Sequence, residues 1–250
     1  MFKNYLAKLE DPFKVPYLLK IAIQSSVLFL TTPALKILNS LEVKGKENLK
    51  ELPEKNVLFI SNHQCAFMDG IAIYRSLLGV SKFAGLPLRS SLYYIAATET
   101  MKSHGLLPKI LMIAGCISLK RDWRDGSDNV KRGPDFRALK ASLNGLENGW
   151  LINFPQGTTR KDAPVRKGIL RMIERNDCIV IPIELSNFEK AFNKLSVLWP
   201  KSFGNKLSIE FKEPLKLDSN MAPEKNLEII SKAIGLNKEK GSEKKIDLAG

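Results

Sequence analysis

The feature that most constrains the fold is an alternation of short apolar runs with longer segments of helical spacing. Several of the runs are apolar on consecutive residues, which is typical of strands that are buried on both faces. The alternation predicts an α/β domain with a mixed, mostly parallel sheet that is covered by helices. The predicted strands are VLFIS at 57–61, YYIAAT at 93–98, CISLK at 116–120, WLINF at 150–154, CIVIPIEL at 178–185 and LSIEFK at 207–212.

Helical spacing occurs in four of the segments between these runs. Pro134 suits a first helical turn, where its missing N–H costs no hydrogen bond, and Gly149 is a plausible helix stop. A polar, turn-rich stretch at 121–135 predicts an exposed loop. The predicted helices are Phe67–Leu78, about 100–114, Pro134–Leu146 and Lys167–Arg175.

The N-terminal segment contains an uncharged stretch, IAIQSSVLFLTTPAL, between Lys20 and Lys36. It is about 15 residues long, and a membrane-spanning helix needs about 20 predominantly apolar residues. Polar residues interrupt the stretch, Pro33 is expected to kink it, and lysines lie near both ends. We therefore expect an amphipathic helical pair that docks on a membrane surface over residues 1–40. A buried helix that packs on the domain is the alternative.

The chain has 250 residues, which fits one domain, and we place it at residues 41–236. A flexible, charged tail is expected at 237–250. The net charge of +13 favours an anionic partner: nucleic acid, an anionic bilayer or a phosphorylated substrate. Nucleic acid is disfavoured, since aromatic residues make up only 8% of the chain and no stacking platform or recognition helix is evident.

The cysteines are three in number and far apart, and no cleavable signal pattern precedes them. This pattern predicts a reducing location that faces the cytosol. Neither the cysteines nor the two histidines have the spacing of metal ligands, so no metal site is expected. The cysteines are Cys65, Cys116 and Cys178.

A histidine and an aspartate follow the first apolar run, in SNHQCAFMDG at 61–70. The predicted strand places Asn62 and His63 at its carboxyl end, where open α/β sheets bind ligands. A neutral imidazole can accept a proton from an attacking hydroxyl, and Asp69 could orient the ring. Two alternatives stay open at this point. His63 could simply cap a helix while Asp69 binds a surface lysine, or Cys65 could act as a nucleophile.

Two further strand ends carry positive charge. FPQGTTRKDAPVRKG at 154–168 combines a glycine, two threonines and four cations, which is typical of an anion-binding turn. GCISLKR at 115–121 ends in Lys120 and Arg121. The alternative for the first of these segments is a solvated basic turn.

In this order and at these separations, SNHQCAFMDG, GCISLKR, FPQGTTR and VIPIEL resemble the four motif blocks of the glycerolipid acyltransferase family. That family includes the 1-acylglycerol-3-phosphate acyltransferases (PlsC-like enzymes), and the likeness spans roughly residues 40–215. The resemblance implies that His63 is the general base and Asp69 its orienting carboxylate. It also implies a substrate-binding set of Asn62, Lys120, Arg121, Gln156, Gly157, Thr158, Thr159 and Arg160.

The sequence departs from the family pattern at two places. The family usually has four residues between the histidine and the aspartate, whereas QCAFM makes five here, so a distorted or looped helix start is expected. In the third block Gln156 replaces the usual glutamate. Thr159 stands where arginine is expected, and Arg160 follows one position later.

The reaction that the resemblance implies is transfer of a fatty acyl group from a thioester to the hydroxyl of a lyso-lipid at the cytoplasmic face of the membrane. Acyl-CoA or acyl carrier protein would be the donor substrate, and no cofactor is expected. The first choice of acceptor is 1-acylglycerol-3-phosphate, which would give phosphatidic acid. Another lyso-lipid, an amino-acid lipid, or a non-catalytic basic module that binds membranes are the alternatives.

Overall fold

The computed structural model describes residues 11–77, 92–98, 106–119, 136–193, 198–218 and 220–236. Its strands form one seven-stranded sheet in the order β1-β7-β6-β2-β5-β3-β4. All neighbouring pairs are parallel except β6 with β7, so the predicted mixed, mostly parallel sheet is confirmed. The strands are β1 (Ser40–Lys44), β2 (Val57–Ser61), β3 (Leu92–Ala97), β4 (Cys116–Leu119), β5 (Trp150–Asn153), β6 (Ile179–Ser186) and β7 (Lys206–Phe211).

Helices cover both faces of this sheet. Along β2, Val57 and Phe59 face one apolar core, whereas Leu58 and Ile60 face the other. Side chains of α1, α2 and α3 fill the first core, and those of α4, α5 and α7 fill the second. The helices are α1 (Tyr17–Lys36), α2 (Met68–Ser76), α3 (Leu106–Ile113), α4 (Phe136–Asn148), α5 (Gly168–Asn176), α6 (Phe188–Ala191) and α7 (Pro223–Ala233), with a 3-10 turn at Lys46–Leu49.

The observed strands agree with the predicted ones to within one residue or so at each end. Four of the described elements were not predicted, namely β1, α6, α7 and the 3-10 turn at Lys46–Leu49. In β1, exposed and half-buried residues alternate at the edge of the sheet, and two charges in five residues weaken the apolar signal. The predicted loop at 121–135 and the predicted tail at 237–250 lie outside the described residues.

The N-terminal helix α1 differs from the expected helical pair. It begins at Tyr17 and continues through Pro33 to Lys36, so it has 20 residues rather than 15 uncharged ones. By length and composition alone it is long and apolar enough to cross a membrane, with a mean hydropathy of 1.5. The argument that this segment is too short to span was therefore wrong. Residues 1–10, where a second helix would lie, are outside the described part of the chain.

One face of α1 packs against the domain along most of the helix. Leu28 and Leu35 contribute to the core beside α2, and Gln24 donates a hydrogen bond to the Ala114 carbonyl. The opposite face is apolar and exposed, with Leu18 at 77% and Phe29 at 79%. This distribution combines the two interpretations of the segment, since the helix is partly buried and also presents an apolar surface to its surroundings.

Candidate active site

The candidate active site lies at the carboxyl ends of three adjacent strands. β2 pairs in parallel with β5 on one side and with β6 on the other, so these three strands end at the same edge of the sheet. His63 follows β2, the turn at 154–160 follows β5, and α6 follows β6. Ligands bind at this edge in open α/β sheets, because loops and helix amino-termini meet there.

The imidazole of His63 and the carboxylate of Asp69 are in direct contact. Nδ1 of His63 lies 2.9 Å from Oδ2 of Asp69, whose side chain is completely buried. The same oxygen accepts backbone N–H groups from Gln64 at 2.5 Å and Cys65 at 2.8 Å. These bonds hold the carboxylate in one orientation next to Nδ1 of the ring.

The additional residue between the histidine and the aspartate is accommodated before the helix begins. Residues 64–67 form turns, and α2 starts only at Met68, so Asp69 lies in its first turn. A carboxylate in a first helical turn is stabilised by the partial positive charge of that helix end. The looped start that the five-residue spacing predicted is therefore present.

The ring of His63 is also held by a stacking contact on one of its faces. Phe154, directly after β5, stacks on it with ring centroids 4.2 Å apart and planes 22° apart. Since Nδ1 is engaged by Asp69, Nε2 is the nitrogen left to exchange a proton with a substrate. The imidazole side chain is 13% exposed, which leaves a narrow approach to the ring.

Gln156 and Asn62 brace the site, although both were predicted to bind substrate. Gln156 is 1% exposed: its Oε1 accepts the His63 N–H at 3.2 Å, while Nε2 donates to the carbonyls of Arg160 and Ala163. The Asn62 amide both donates to and accepts from the backbone of Leu185 in β6. Polar atoms that are occupied in this way are not presented to a ligand.

The turn after Gln156 leaves open space beside the dyad. Gly157 has a φ of +67°, a left-handed conformation that favours glycine, and no atom lies within 4 Å of where its Cβ would be. Its N–H already donates to the Phe154 carbonyl at 2.9 Å. Thr158 is buried and Thr159 is half-buried, so the two hydroxyls differ in access.

Three cations of the segment 154–168, namely Arg160, Lys161 and Lys167, are engaged with carboxylates. The Arg160–Asp162 pair is exposed, and its hydrogen bonds, followed by its opposite charges, raise the pKa of the guanidinium and lower the pKa of the carboxylate. Exposed ion pairs are weak, so an anionic ligand can displace the acidic partner at little cost. The exposed pairs are Arg160–Asp162 at 2.8 Å and Lys167–Glu224 at 2.7 Å, whereas Lys161 is paired at 2.7 Å with the half-buried Glu189.

A family model for acyltransferases matches residues 40–186, which is more than half of the chain and includes the His63–Asp69 dyad and the turn after β5. The chain belongs to the acyltransferase family. Among solved structures, the 1-acyl-sn-glycerophosphate acyltransferase PlsC from Thermotoga maritima is similar, with a TM-score of 0.54 and 20% identity. The match covers 88% of this chain and 81% of that one, and it supports the fold. No curated protein matches the sequence significantly.

Cys65 does not have the environment of a nucleophile in this acyltransferase. Its side chain is 1% exposed, and Sγ lies 3.8 Å from the Phe192 carbonyl. Burial, and secondarily the charge of Asp69, raises the pKa of the thiol far above its ordinary value. The thiolate is therefore not populated at neutral pH, and a thiol is a poor nucleophile.

Two contributors to the site were not identified from the sequence. Phe154 was assigned to a strand, and only the pairing of β5 beside β2 brings its ring onto His63. Gln64 links the turn after β2 to β6 and α6: its amide donates to the Leu185 carbonyl and accepts the Phe188 N–H at 2.8 Å. For Gln64 the available signal was a polar residue on the turn between a buried strand and a helix.

Lys120 and Arg121, which the resemblance assigned to the acceptor phosphate, lie outside the described residues. Within the described ranges, no group of three or more His, Cys, Asp or Glu side chains converges as metal ligands would.

Proposed function

We propose that this acyltransferase transfers a fatty acyl group from an acyl thioester to the free hydroxyl of 1-acylglycerol-3-phosphate, giving phosphatidic acid. The observation that carries the proposal is the 2.9 Å contact between His63 and the buried Asp69 at the carboxyl end of β2. Another lyso-phospholipid with an anionic head group remains an acceptor to be compared with it.

The proposed chemistry is a direct transfer without an acyl-enzyme. Nε2 of His63 accepts the proton of the acceptor hydroxyl while the oxygen attacks the thioester carbonyl. Asp69 holds the ring in the tautomer with a proton on Nδ1 and stabilises the imidazolium. When the carbon–sulfur bond breaks, the imidazolium returns the proton to the thiolate, so that ester and free thiol leave.

The tetrahedral intermediate carries a negative oxygen that needs hydrogen-bond donors. The N–H of Gly157 is already donated to Phe154, so we assign this role to a backbone N–H further along the turn, at Thr158 or Thr159. The open space beside Gly157 would admit the carbonyl carbon. Replacing Gly157 would therefore affect both the conformation of the turn and access to the dyad.

The phosphate of the acceptor would be bound by cations of the turn at 154–168. Arg160 is the first candidate, since its guanidinium is exposed and its only partner in the described contacts is the exposed Asp162. Lys120 and Arg121 are proposed to assist on the strength of the resemblance alone. The donors acyl-CoA and acyl carrier protein also carry phosphate groups, so some of the excess cations would bind the donor rather than the acceptor.

We further propose that α1 lies in the surface of a membrane on the cytosolic side rather than crossing it. Six of its side chains are buried against the domain, from Lys20 to Leu35, so the helix and the domain lie side by side. A helix that is attached to a globular domain along its length cannot also pass through the hydrocarbon layer. Its exposed apolar residues would instead enter the interface.

Replacement of the dyad tests the proposed chemistry. We expect His63→Ala to lower the rate of acyl transfer by about 100- to 10,000-fold, because the general base is lost. Asp69→Asn should lower kcat with a smaller change in KM, because the ring then takes the wrong tautomer. Purified protein is supplied with acyl-CoA and a panel of lyso-lipids, and products are identified by mass spectrometry.

Three controls make the result decisive. Circular dichroism must show that the variants fold, and binding to lipid vesicles should be unchanged in His63→Ala. Cys65→Ala should retain most of its activity, because its thiol takes no part. Full activity of folded His63→Ala, or no product with any acceptor, would contradict the proposal.

A further inference from the structure

A short loop between α6 and β7 exposes a cluster of large apolar side chains. In the aromatic loop, residues 198–203, Leu198 is 58% exposed, Trp199 69% and Phe203 57%. The rings of Trp199 and Phe203 meet edge to face, with centroids 5.8 Å apart. Large apolar groups that cluster on a surface mark an interaction site more often than a single exposed residue does.

The backbone around the aromatic loop is held firmly. The Lys201 N–H donates to the Ala191 carbonyl at 2.8 Å, and the Gly204 N–H donates to the Leu38 carbonyl at 2.8 Å. The Asn39 side chain, which is buried, accepts from the backbone N–H of Asn205 at 3.0 Å. These bonds attach the backbone of the loop to α6 and to the end of α1. The exposed side chains of the loop are therefore held in place by a well-bonded backbone.

The aromatic loop lies at the same edge of the sheet as His63. β7 is antiparallel to β6, so the chain that joins them lies where β6 ends, which is the edge of the active site. Two contacts place α6, to which Lys201 of the loop is bonded through Ala191, beside the site: Gln64 accepts the Phe188 N–H at 2.8 Å, and Lys161 forms an ion pair with Glu189. The loop therefore lies beside the approach to the dyad.

The aromatic loop is also continuous with the apolar side of α1. Leu38, which accepts the Gly204 N–H, follows Ile37, and the Ile37 side chain is 75% exposed. Along α1 the exposed apolar side chains Phe29 and Leu30 precede it. The loop and the C-terminal end of α1 are thus neighbours, and we call their exposed apolar side chains the apolar border.

Positive charges predominate around this border, and the neighbouring Glu189 is paired with Lys161. The segment from 190 to 209 has four lysines and no acidic residue in its sequence. Lysines that flank exposed aromatic rings match the interface of an anionic bilayer, where Trp lies at the level of the head groups and nearby cations are attracted to the lipid charges. Exposed lysines of the loop and of the elements next to it include Lys36, Lys190, Lys201 and Lys206.

We propose that the aromatic loop is a second membrane anchor, which inserts Trp199 and Phe203 into the interface of an anionic bilayer. Together with α1 it defines a plane of contact that turns the His63 edge of the sheet toward the lipid. An acceptor could then present its hydroxyl to the dyad while its acyl chain stays in the bilayer. This last consequence rests on the proposed function, whereas insertion of the loop does not.

The insertion is tested with the full chain and vesicles of phosphatidylcholine that contain about one third phosphatidylglycerol. We expect the double variant Trp199→Ser with Phe203→Ser to bind these vesicles about tenfold more weakly in co-sedimentation, because two large apolar side chains no longer leave water. Lipids brominated on their acyl chains should quench wild-type tryptophan fluorescence. Most of this quenching should be absent in Trp199→Phe.

The matched control is Phe136→Ser, since Phe136 is 67% exposed on α4, over the opposite face of the sheet. This variant should bind as the wild type does. His63→Ala should also bind and be quenched normally, so loss of acyl transfer and loss of docking are separate results.

Two results would overturn the proposal. The first is unchanged vesicle binding by the double variant, with no quenching at Trp199. The second is a double variant that binds vesicles normally but loses activity only when acyl carrier protein is the donor. The aromatic loop would then dock an acidic protein rather than a bilayer.

Discussion

At the scale of residues, the site is organised by side-chain amides, those of Asn62 and Gln156, that form hydrogen bonds with the backbone. Gln156 accepts one N–H and donates to two carbonyls, which a carboxylate in the same place could not do. The two N–H groups of the Gln156 amide thus cross-link the turn after β5, and its oxygen connects that turn to the backbone of His63. This geometry explains how a glutamine can occupy the position where the glycerolipid acyltransferases usually have a glutamate.

Gln156→Glu should therefore impair this acyltransferase. An ionised carboxylate would face the carbonyl oxygens of Arg160 and Ala163 and could donate to neither. The Arg160 carbonyl would keep the Ala163 N–H at 3.2 Å, whereas the Ala163 carbonyl would lose the amide donor, at a cost of about 1–3 kcal/mol. We expect kcat to fall by about tenfold or more, with a smaller change in the KM of the acceptor. The ratio of variant to wild-type kcat should rise as the pH is lowered, because a protonated carboxyl group can again donate one bond.

Gln156→Met is the matched control, since it removes the same bonds without adding charge. Its deficit relative to the wild type should not vary with pH. A glutamate variant with wild-type kcat at neutral pH would show that the two amide donors are dispensable.

The second prediction at this scale concerns the anion-binding turn. Asp162→Asn removes the carboxylate that occupies Arg160, so a phosphate-bearing acceptor no longer has to displace it. We expect its KM to fall by about two- to fivefold, as suits a weak exposed pair, with little change in kcat. Glu224→Gln, which releases Lys167 instead, serves as the control. An unchanged KM in Asp162→Asn would place the phosphate elsewhere.

At the scale of elements, α1 has an unusual distribution of side chains. Its buried face includes Lys20, Gln24 and Thr31, whereas Leu18 and Phe29 are exposed. The Lys20 ammonium lies 4.1 Å from the centre of the Tyr93 ring, at the edge of the sheet opposite His63. Polar burial of this kind is costly unless partners are present, so α1 is attached by specific contacts and keeps its apolar surface for another medium.

Burial of Lys20 should make the stability of the protein depend on pH. Desolvation lowers its pKa from 10.5 to about 8 in the folded state. Between these values the unfolded chain binds more protons, so the free energy of unfolding should rise with pH across this window. The gain from this group is at most about 3 kcal/mol.

Urea unfolding at several pH values between 7 and 10 checks this expectation against Lys20→Met. The variant has no ammonium to desolvate, so the wild type should gain stability relative to it as the pH rises. The cation–π contact with Tyr93 offsets part of the difference at pH 7. Parallel pH curves for the two proteins would contradict the assignment.

At the scale of the whole molecule, the chain has a net charge of +13, and exposed apolar side chains lie at the edge of the sheet that contains His63. Association with an anionic vesicle should then have an electrostatic part and an apolar part. Raising the salt concentration from about 0.05 to 0.5 M shortens the Debye length to a few ångströms and should weaken binding by about tenfold. Binding to vesicles of phosphatidylcholine alone should be weaker and nearly independent of salt. Equal salt dependence on both would contradict this division.

Much of the fold could be predicted because its signals are local. Consecutive apolar residues in 57–61 and 150–154 indicate strands buried on both faces, and the segments between them have helical periodicity. β1 escaped prediction because an edge strand buries little, and the full length of α1 escaped because tertiary packing tolerates its lysine and proline. For the site, adjacency to a strand end identified His63 and Asp69 as candidates. Sequence proximity could not show that Oδ2 and Nδ1 are in contact.

The sequence by itself determined which groups are present: an imidazole after one buried strand, a glycine turn after another, an excess of cations and an apolar N-terminal segment. Tertiary structure decided what these groups face. Pairing of β2 with β5 and β6 placed Phe154 on His63 and turned Gln156 and Asn62 inward as braces. It also brought the aromatic loop to the edge of the site. The reason is that chemistry along a chain is local, whereas strand order and the burial it creates are set by contacts between distant segments.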